Sequence, residues 1–407
     1  NYGLSALAPG GAYAAPIPAA VHIHGGEVAP AYDGGPDAWW TPNMITGNGF
    51  VGTTFQYPNT QQAGTIWFHD HALGITRLNV YAGMAGVHII TDPANEPPQA
   101  GATCAATGCL PKFPEYDIPL IIQDRSFDTT GQLFYNLASN PQPNITVHPY
   151  WIPEFIGDTI VVNGKTWPYL NVEPRKYRFR LLNGSNARFY DLTLSGGLKF
   201  NVIATDDGYL NVPVLTPNII IGPGERYEVI VDFTGIPAGT TITMMNSART
   251  PFPGGGKVTP NGTDTVMQFT VGVLNQAINE PPKILHRTAL RAATNPIQPI
   301  VNAHNPTTGS ITRQLTLNEV IGGGGPLELV VNNSKFNLPL STPGCPDGAA
   351  MCRETELPAV GDTEIWEVIN ITADAHPMHI HEVVFEVLNR QPIFVDEMNA
   401  MVKVVPG

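Results

Sequence analysis

Short runs of alternating apolar and polar residues, rich in valine, isoleucine and aromatic side chains, recur along this chain between glycines and prolines. Such period-two alternation is typical of β-strands with one buried face. In the first quarter of the chain it predicts strands at 20–23, 50–57, 64–69, 77–81 and 86–90. The residues before position 20 have no periodicity and predict a loop.

Two further groups of predicted strands follow, each after a stretch rich in proline. The second group has its clearest strands at 119–122, 159–162, 177–182, 227–233 and 265–273, and the third includes 366–370 and 383–387. We therefore predict an all-β protein whose parts are a first domain over 1–95, a linker over 96–117, a second domain over 118–275, a linker over 276–312 and a third domain over 313–407.

The composition agrees with this class and excludes others. The chain of 407 residues has 41 glycines and 39 prolines, and only 14% of its residues are charged, which favours many turns and short strands. The net charge of -13 argues against a nucleic-acid-binding surface and favours a secreted or cell-surface protein. No apolar run reaches the length of a membrane span.

The four cysteines form two local pairs in loop sequence, Cys104 with Cys109 and Cys345 with Cys352. Local disulfides formed in an oxidising compartment are the interpretation we favour. Reduced thiols and metal ligands are the alternatives, and the sequence does not choose among the possible pairings.

The chemistry that stands out is histidine clustering. Seven of the 11 histidines fall in three short motifs with His-x-His spacing: His22 and His24; His69 and His71; and His376, His379 and His381. Residues i and i+2 of a strand point to one face, roughly 7 Å apart, which suits pairs that each serve two neighbouring ions. Since histidine is the commonest metal-ligating side chain, three such motifs predict a multinuclear metal site.

The position of these motifs also predicts where the site lies. They occur only in the first and third predicted domains, so we expect a site formed between those two domains. The second domain contains one histidine, His148, and is expected to be scaffold; His286 and His304 are isolated in polar loops and are expected at the surface.

In these histidine motifs and the sequence around them, the chain resembles the multicopper oxidases, and most closely the bacterial spore-coat laccase and bilirubin oxidase group. The matching stretches are 21–26, 68–72, 76–83, 162–170, 172–180 and 376–381. The resemblance implies three cupredoxin-like Greek-key β-sandwich domains that hold four coppers, one of type 1, one of type 2 and two of type 3.

Carried over position by position, the resemblance assigns a role to each histidine. It makes His22 and His379 ligands of the type 2 copper and His376 a ligand of the type 1 copper. The type 3 coppers would be bound by His24, His69, His71 and His381.

This sequence departs from the family at both ends. Family members carry a further His-Cys-His motif near the C-terminus, which supplies the type 1 thiolate and two type 3 ligands, and strands that precede the first His-x-His pair. This chain has neither, so we expect its first and third domains to be incomplete and the chain to be a segment of a larger enzyme. Activity would require the His-Cys-His segment.

One acidic residue is a candidate for proton delivery. Asp33, nine positions after His24, matches an acidic residue that lies near the copper cluster in this group, and we predict that it relays protons. The alternative is a structural aspartate in a glycine-rich turn. Asp70 and Arg77 flank the second motif, where structural roles are at least as plausible.

The predicted function is therefore a laccase-like oxidase. One-electron oxidation of phenolic, aromatic or bilirubin-like donors would be coupled to four-electron reduction of dioxygen to water, by a monomer that is secreted or located in a spore coat. The rival from another class is a non-catalytic copper-binding cupredoxin protein without a complete type 1 site. A nitrite-reductase-like enzyme is disfavoured, because two His-x-His pairs in the first domain exceed what a mononuclear type 2 site needs.

Overall fold

The structure is a computed structural model that describes residues 16–97, 109–135, 154–275, 289–291, 312–322, 325–333, 356, 358–359, 363–396 and 401–404. Almost all of its regular secondary structure is β-strand, which confirms the predicted all-β class. The chain divides into two compact units, the first comprising residues 1–139, 154–297 and 376–384 and the second comprising residues 140–153, 298–375 and 385–407.

The first unit begins with a small antiparallel sheet of order β1-β2-β3. Its elements, with two short helices, are β1 (Val21–His24), α1 (Pro30–Asp33), β2 (Gly64–Asp70), α2 (Thr76–Tyr81) and β3 (Ala85–Ile90). Proline starts α1, where its missing N–H costs no helical hydrogen bond, and Gly34 ends it in the left-handed conformation.

The same unit continues with a two-sheet sandwich. Its strands are β4 (Asp117–Arg125), β5 (Thr159–Val162), β6 (Lys165–Thr166), β7 (Tyr169–Val172), β8 (Lys176–Asn183), β9 (Tyr190–Leu194), β10 (Phe200–Thr205), β11 (Gly208–Thr216), β12 (Asn218–Ile221), β13 (Arg226–Asp232), β14 (Thr241–Asn246) and β15 (Thr265–Val271). One sheet has the order β11-β10-β13-β8-β4-β5-β6 and the other has the order β12-β9-β14-β15-β7. Their inward apolar side chains form one core, in which Phe179 and Phe269 pack with ring centroids 5.1 Å apart.

The second unit contains a sheet of order β17-β16-β18 and a two-stranded ladder of β19 with β20. Their bounds are β16 (Thr312–Gly322), β17 (Gly325–Val331), β18 (Ile365–Asn370), β19 (Ile393–Asp396) and β20 (Met401–Val404). The strand predicted at 366–370 is β18.

Buried charges join the small sheet to the sandwich inside the first unit. The side chain of Thr65 on β2 donates a hydrogen bond to Glu228 Oε1 at 2.6 Å and accepts one from Arg180 at 3.0 Å. Glu228 also pairs with Arg178, and Arg180 pairs with Asp117. Each buried charge thus has an opposite partner, and the arrangement fixes β2, which carries His69 and leads directly into His71.

Three predicted strands are wrong. Residues 77–81 belong to helix α2, because five residues are too few to separate the two periodicities, and Leu78 to Tyr81 are all buried in succession. Residues 50–57 and 383–387 form no strand. In 383–387 the apolar side chains are exposed, with Val383 at 56%, and in 50–57 Val51 is exposed at 67% while the aromatic side chains are half-buried. No described strand pairs with either segment.

Two other sequence predictions fall largely outside the described residues. Cys109 is buried, whereas the other three cysteines lie outside the described residues, so the predicted local disulfides stay predictions. His148, His286 and His304 lie outside them as well.

Candidate metal centre

Strands β1 and β2 deliver the first four histidines. In their antiparallel register His22 lies directly opposite His69, and His24 lies opposite Trp67. Directly opposed residues share a face, so the rings of His22 and His69 meet, with centroids 5.3 Å apart. His71 follows β2 and its ring lies 5.1 Å from that of His22. The alternation of the two strands therefore concentrates four imidazoles on one face.

The third motif joins this face. Residues His376–Val384 belong to the same compact unit as the small sheet. The ring of His379 stacks on that of His24 at 3.6 Å, and the ring of His381 stacks on that of His22 at 4.0 Å. This segment is not a strand, contrary to the prediction that His379 and His381 share a strand face. Six of the seven predicted histidines are thus brought together.

Ring nitrogens from different histidines face each other in two places. His22 Nε2 lies 3.3 Å from His379 Nε2, and His24 Nδ1 lies 3.3 Å from His69 Nε2. Two nitrogens bound to one ion at about 2 Å, with tetrahedral angles, lie roughly 3.3 Å apart. Each pair therefore has the spacing expected of two ligands of one metal ion.

Hydrogen bonds at the opposite ring nitrogen orient these imidazoles. Nδ1 of His22 and Nδ1 of His69 donate to the backbone carbonyls of Asp33 and Asp70, each at 2.7 Å. His381 Nδ1 donates to Asp33 Oδ2 at 2.6 Å. Such bonds leave Nε2 unprotonated and directed into the cluster, which is how metal-ligating histidines are commonly held.

The protonation of the cluster also suits a metal. Burial lowers the pKa of His69 to about 3, of His71 to about 4 and of His379 to about 2, with further lowering from neighbouring histidines. Burial, followed by the charge of Arg226, places the pKa of His24 well below its ordinary value. Neutral imidazoles are the form that binds metal, and within the described residues His71 Nδ1 is buried without a hydrogen-bond partner. The donor set fits copper.

Asp33 lies at the centre of the hydrogen bonds around the cluster. Burial alone would raise its pKa, but hydrogen bonds from His22 and His381 hold the pKa below its usual range. Its backbone carbonyl accepts from His22 of the first motif, and its carboxylate accepts from His381 of the third motif. The predicted proximity of Asp33 to the cluster is thus observed, and an ionised carboxylate here orients two imidazoles.

The remaining candidates occupy different positions. His376 is half-buried. Like His69 and His71, it is absent from the two groups of possible metal ligands found among the described residues. Asp70 points away from the rings: its carboxylate accepts hydrogen bonds from the backbone N–H groups of Ala20 and Ala72 and from Asn79 Nδ2. It therefore has a structural role, because it holds the chain on both sides of the cluster.

Sequence reasoning missed three residues that border the site. Trp67 packs against His69 and His24 with ring centroids 4.2 and 5.0 Å away. Gly224 and Arg226, from the domain predicted to be scaffold, lie beside His24. The alternation of β2 could have revealed Trp67, which is two residues before His69. Nothing in the sequence marks Gly224 or Arg226.

Comparison with known proteins agrees with this geometry. Three family models, each described as multicopper oxidase, match residues 14–95, 130–260 and 326–404. Laccase from Bacillus subtilis (strain 168) is 39% identical over 376 residues, which are 91% of this chain and 65% of that protein. Multicopper oxidase LPR1 from Arabidopsis thaliana is 39% identical over 379 residues, which are 92% of this chain and 58% of that protein.

A solved structure shows the same architecture. The McoA multicopper oxidase from Aquifex aeolicus is 29% identical, with a TM-score of 0.64 and coverage of 89% of this chain and 69% of that one. The chain belongs to the multicopper oxidase family, whose members bind type 1, type 2 and type 3 copper ions. It spans about three-fifths of the length of the first relatives, at 58% and 59%. No helix in the described part of the chain is long and apolar enough to cross a membrane.

Proposed function

We propose that this chain carries the oxygen-reducing copper centre of a laccase-like multicopper oxidase. One-electron oxidation of phenolic, other aromatic or bilirubin-like donors would be coupled to four-electron reduction of dioxygen to water. The observation that carries the proposal is the two facing pairs of ring nitrogens, His22 with His379 and His24 with His69, each at 3.3 Å. The matches to oxidase family models favour this function over a non-catalytic copper-binding protein.

The proposed ligand roles follow from these pairs and from the family pattern. His22 and His379 would hold the type 2 copper, and His376 the type 1 copper. The type 3 coppers would be held by His24, His69, His71 and His381. Copper supplies, when bound, the one-electron redox chemistry that links donor oxidation to dioxygen reduction.

The protein's own groups would hold the ligands and manage charge. The carbonyls of Asp33 and Asp70 keep protons on Nδ1 of His22 and His69, so that their Nε2 atoms stay free. The Asp33 carboxylate accepts a hydrogen bond from Nδ1–H of His381 and adds negative charge beside the site. We also propose that this carboxylate passes protons toward the site.

The donor, the location and the assembly state belong to the same proposal. We expect a broad range of small aromatic donors, and a monomer that is secreted or part of a cell-surface or spore-coat layer. The two local cysteine pairs, which we predict to form disulfides, support a location in an oxidising compartment outside the cytoplasm.

The proposal is tested by loading the full natural chain with copper and following oxygen uptake with a phenolic donor. We expect bound copper, consumption of dioxygen in step with donor oxidation, and water as the product. Copper-loaded protein that consumes no oxygen with any aromatic donor would contradict the proposal, and so would hydrogen peroxide as the main product.

The role of Asp33 is tested by Asp33→Asn, which removes the charge but keeps an oxygen that accepts from His381. We expect slower reoxidation of the reduced enzyme by dioxygen, and no change in the rate at which the donor reduces it anaerobically. Glu27→Gln is the control, because Glu27 is an exposed carboxylate three residues from His24. Unchanged turnover of Asp33→Asn at all pH values would remove Asp33 from proton transfer.

A further inference from the structure

Arg226, the first residue of β13, is a buried arginine whose guanidinium binds three separate segments of backbone. It donates to the carbonyls of Gly224 at 3.0 Å, Asp206 at 2.9 Å and Thr65 at 3.3 Å. Its side chain is 3% exposed. A planar guanidinium with several donors in a fixed arrangement can hold such segments at defined distances, which a flexible ammonium cannot.

Three neighbours of Arg226, namely Gly25, Gly224 and Thr65, lead directly to the metal centre. Gly25, which follows His24, packs against the guanidinium so closely that a Cβ there would lie 2.5 Å from Arg226 Nη2. Gly224, whose carbonyl Arg226 binds, adopts a φ of +83° and faces the ring of His24, where a Cβ would lie 3.3 Å from Cε1. Thr65 lies on β2, four residues before His69. Arg226 therefore contacts the residue after His24, the turn that faces the His24 ring, and the strand that carries His69.

The charge of Arg226 acts on the same ring. Its partner carboxylate, Asp206 at 3.0 Å, is 39% exposed and therefore more strongly screened by water than the guanidinium. A positive field is left at His24 and His379. Burial is the main cause of the lowered pKa of both rings, and Arg226 adds to it.

We propose that Arg226 is a positioning residue of the copper centre. By fixing the turn at Gly224 and the start of β2 against the ring of His24, it holds His24 Nδ1 opposite His69 Nε2. The inference rests on the proposed copper-binding function of this site. It gives the second domain, which contains none of the clustered histidines, a direct part in forming the centre.

The test compares Arg226→Gln and Arg226→Lys with the unaltered full chain. Copper affinity is measured by competition with a chromogenic copper chelator, and the fraction of bound copper that is silent in electron paramagnetic resonance reports a coupled pair. We expect Arg226→Gln to weaken copper binding about 10- to 100-fold, as loss of an orienting partner typically does, and to lower the silent fraction. Arg226→Lys should recover part of the affinity, because an ammonium can still donate to some of these carbonyls but cannot hold all three in a fixed arrangement.

Arg188→Gln is the matched control for general loss of stability. Arg188 is 2% exposed and binds the Gly157 carbonyl at 2.6 Å and Asp124 Oδ2 at 3.0 Å. We expect a comparable fall in melting temperature with normal copper affinity. The inference is overturned if Arg226→Gln binds copper as the unaltered chain does, or if Arg188→Gln weakens binding equally. Failure of the unaltered chain to bind copper would instead overturn the proposed function.

Discussion

The two parts of the histidine cluster are positioned in different ways. His22, His24 and His69 lie on paired strands whose register places their rings on one face, and all three are buried. His379 and His381 lie on an irregular segment and are half-buried. Ring stacking and the bond from His381 to Asp33 hold that segment against the paired strands.

Strand pairing therefore positions His22, His24 and His69, whereas side-chain contacts position His379 and His381. The paired strands β1 and β2, here called the histidine ladder, fix their histidines through backbone hydrogen bonds that do not involve the ring nitrogens, so this half of the centre is pre-organised. The irregular segment depends on the ladder as a surface to pack on. We therefore expect damage to the ladder to cost more than damage outside it.

The largest effect is expected from removal of a ladder ligand. His69→Ala removes the nitrogen that faces His24 Nδ1, and we expect loss of copper from that pair and at least a 100-fold fall in oxygen uptake. His376→Ala is the comparison, because we assign His376 to the type 1 copper and not to the cluster that His24 and His69 share. It should retain the copper of the cluster, as measured by metal analysis. Equal copper loss in both variants would contradict the assignment of His69, but not His376, to the copper cluster.

The next effect is on the junction between Asp33 and the ladder. A Cβ at Gly34 would lie 1.8 Å from the carbonyl oxygen of Val21 on β1, and Gly34 has a φ of +76°. Because backbone atoms cannot move aside easily, we expect Gly34→Ala to lower the free energy of unfolding by about 2–4 kcal/mol in urea titrations. Gly35→Ala is the control, since nothing lies within 4 Å of its Cβ position. Equal stability of the two variants would contradict the account.

The smallest effect, taken per pH unit and per histidine, concerns the stability of the copper-free protein. The pKa of His69 is about 3 in the folded chain against an ordinary 6.5, so between these values only the unfolded chain takes up the proton. Stability should therefore fall as the pH drops below about 6.5, by at most about 1.4 kcal/mol per pH unit for each such histidine. Urea titrations from about pH 7 to pH 4 measure this, and His69→Gln should reduce the slope. Stability that stays flat or rises on acidification would contradict the pKa shifts.

The sequence predicts the strand-borne part of the centre well, because His-x-His spacing and strand alternation express the same geometry. This pattern correctly predicts the strands at 64–69 and 159–162. It also predicts that the side chains of His22 and His24 point to the same face of their strand. Asp33 was placed through the family resemblance. Its contact with His381 joins residues 348 positions apart in the chain, and no local sequence pattern predicts such a contact.

The parts that could not be predicted depend on tertiary packing. Helix α2 and the irregular segment 383–387 have the alternation of strands, but no strand in the described part of the chain pairs with either of them. Arg226 resembles any residue at the start of a strand, and only the folded chain shows that its guanidinium lies beside Gly25.

The central claim is that these histidines hold several copper ions at defined nitrogen pairs. Anomalous diffraction from crystals of the copper-loaded protein, recorded on both sides of the copper absorption edge, tests it most directly. We predict separate copper peaks between His22 Nε2 and His379 Nε2 and between His24 Nδ1 and His69 Nε2. A copper-loaded crystal with no anomalous peak among these four nitrogens would contradict the account.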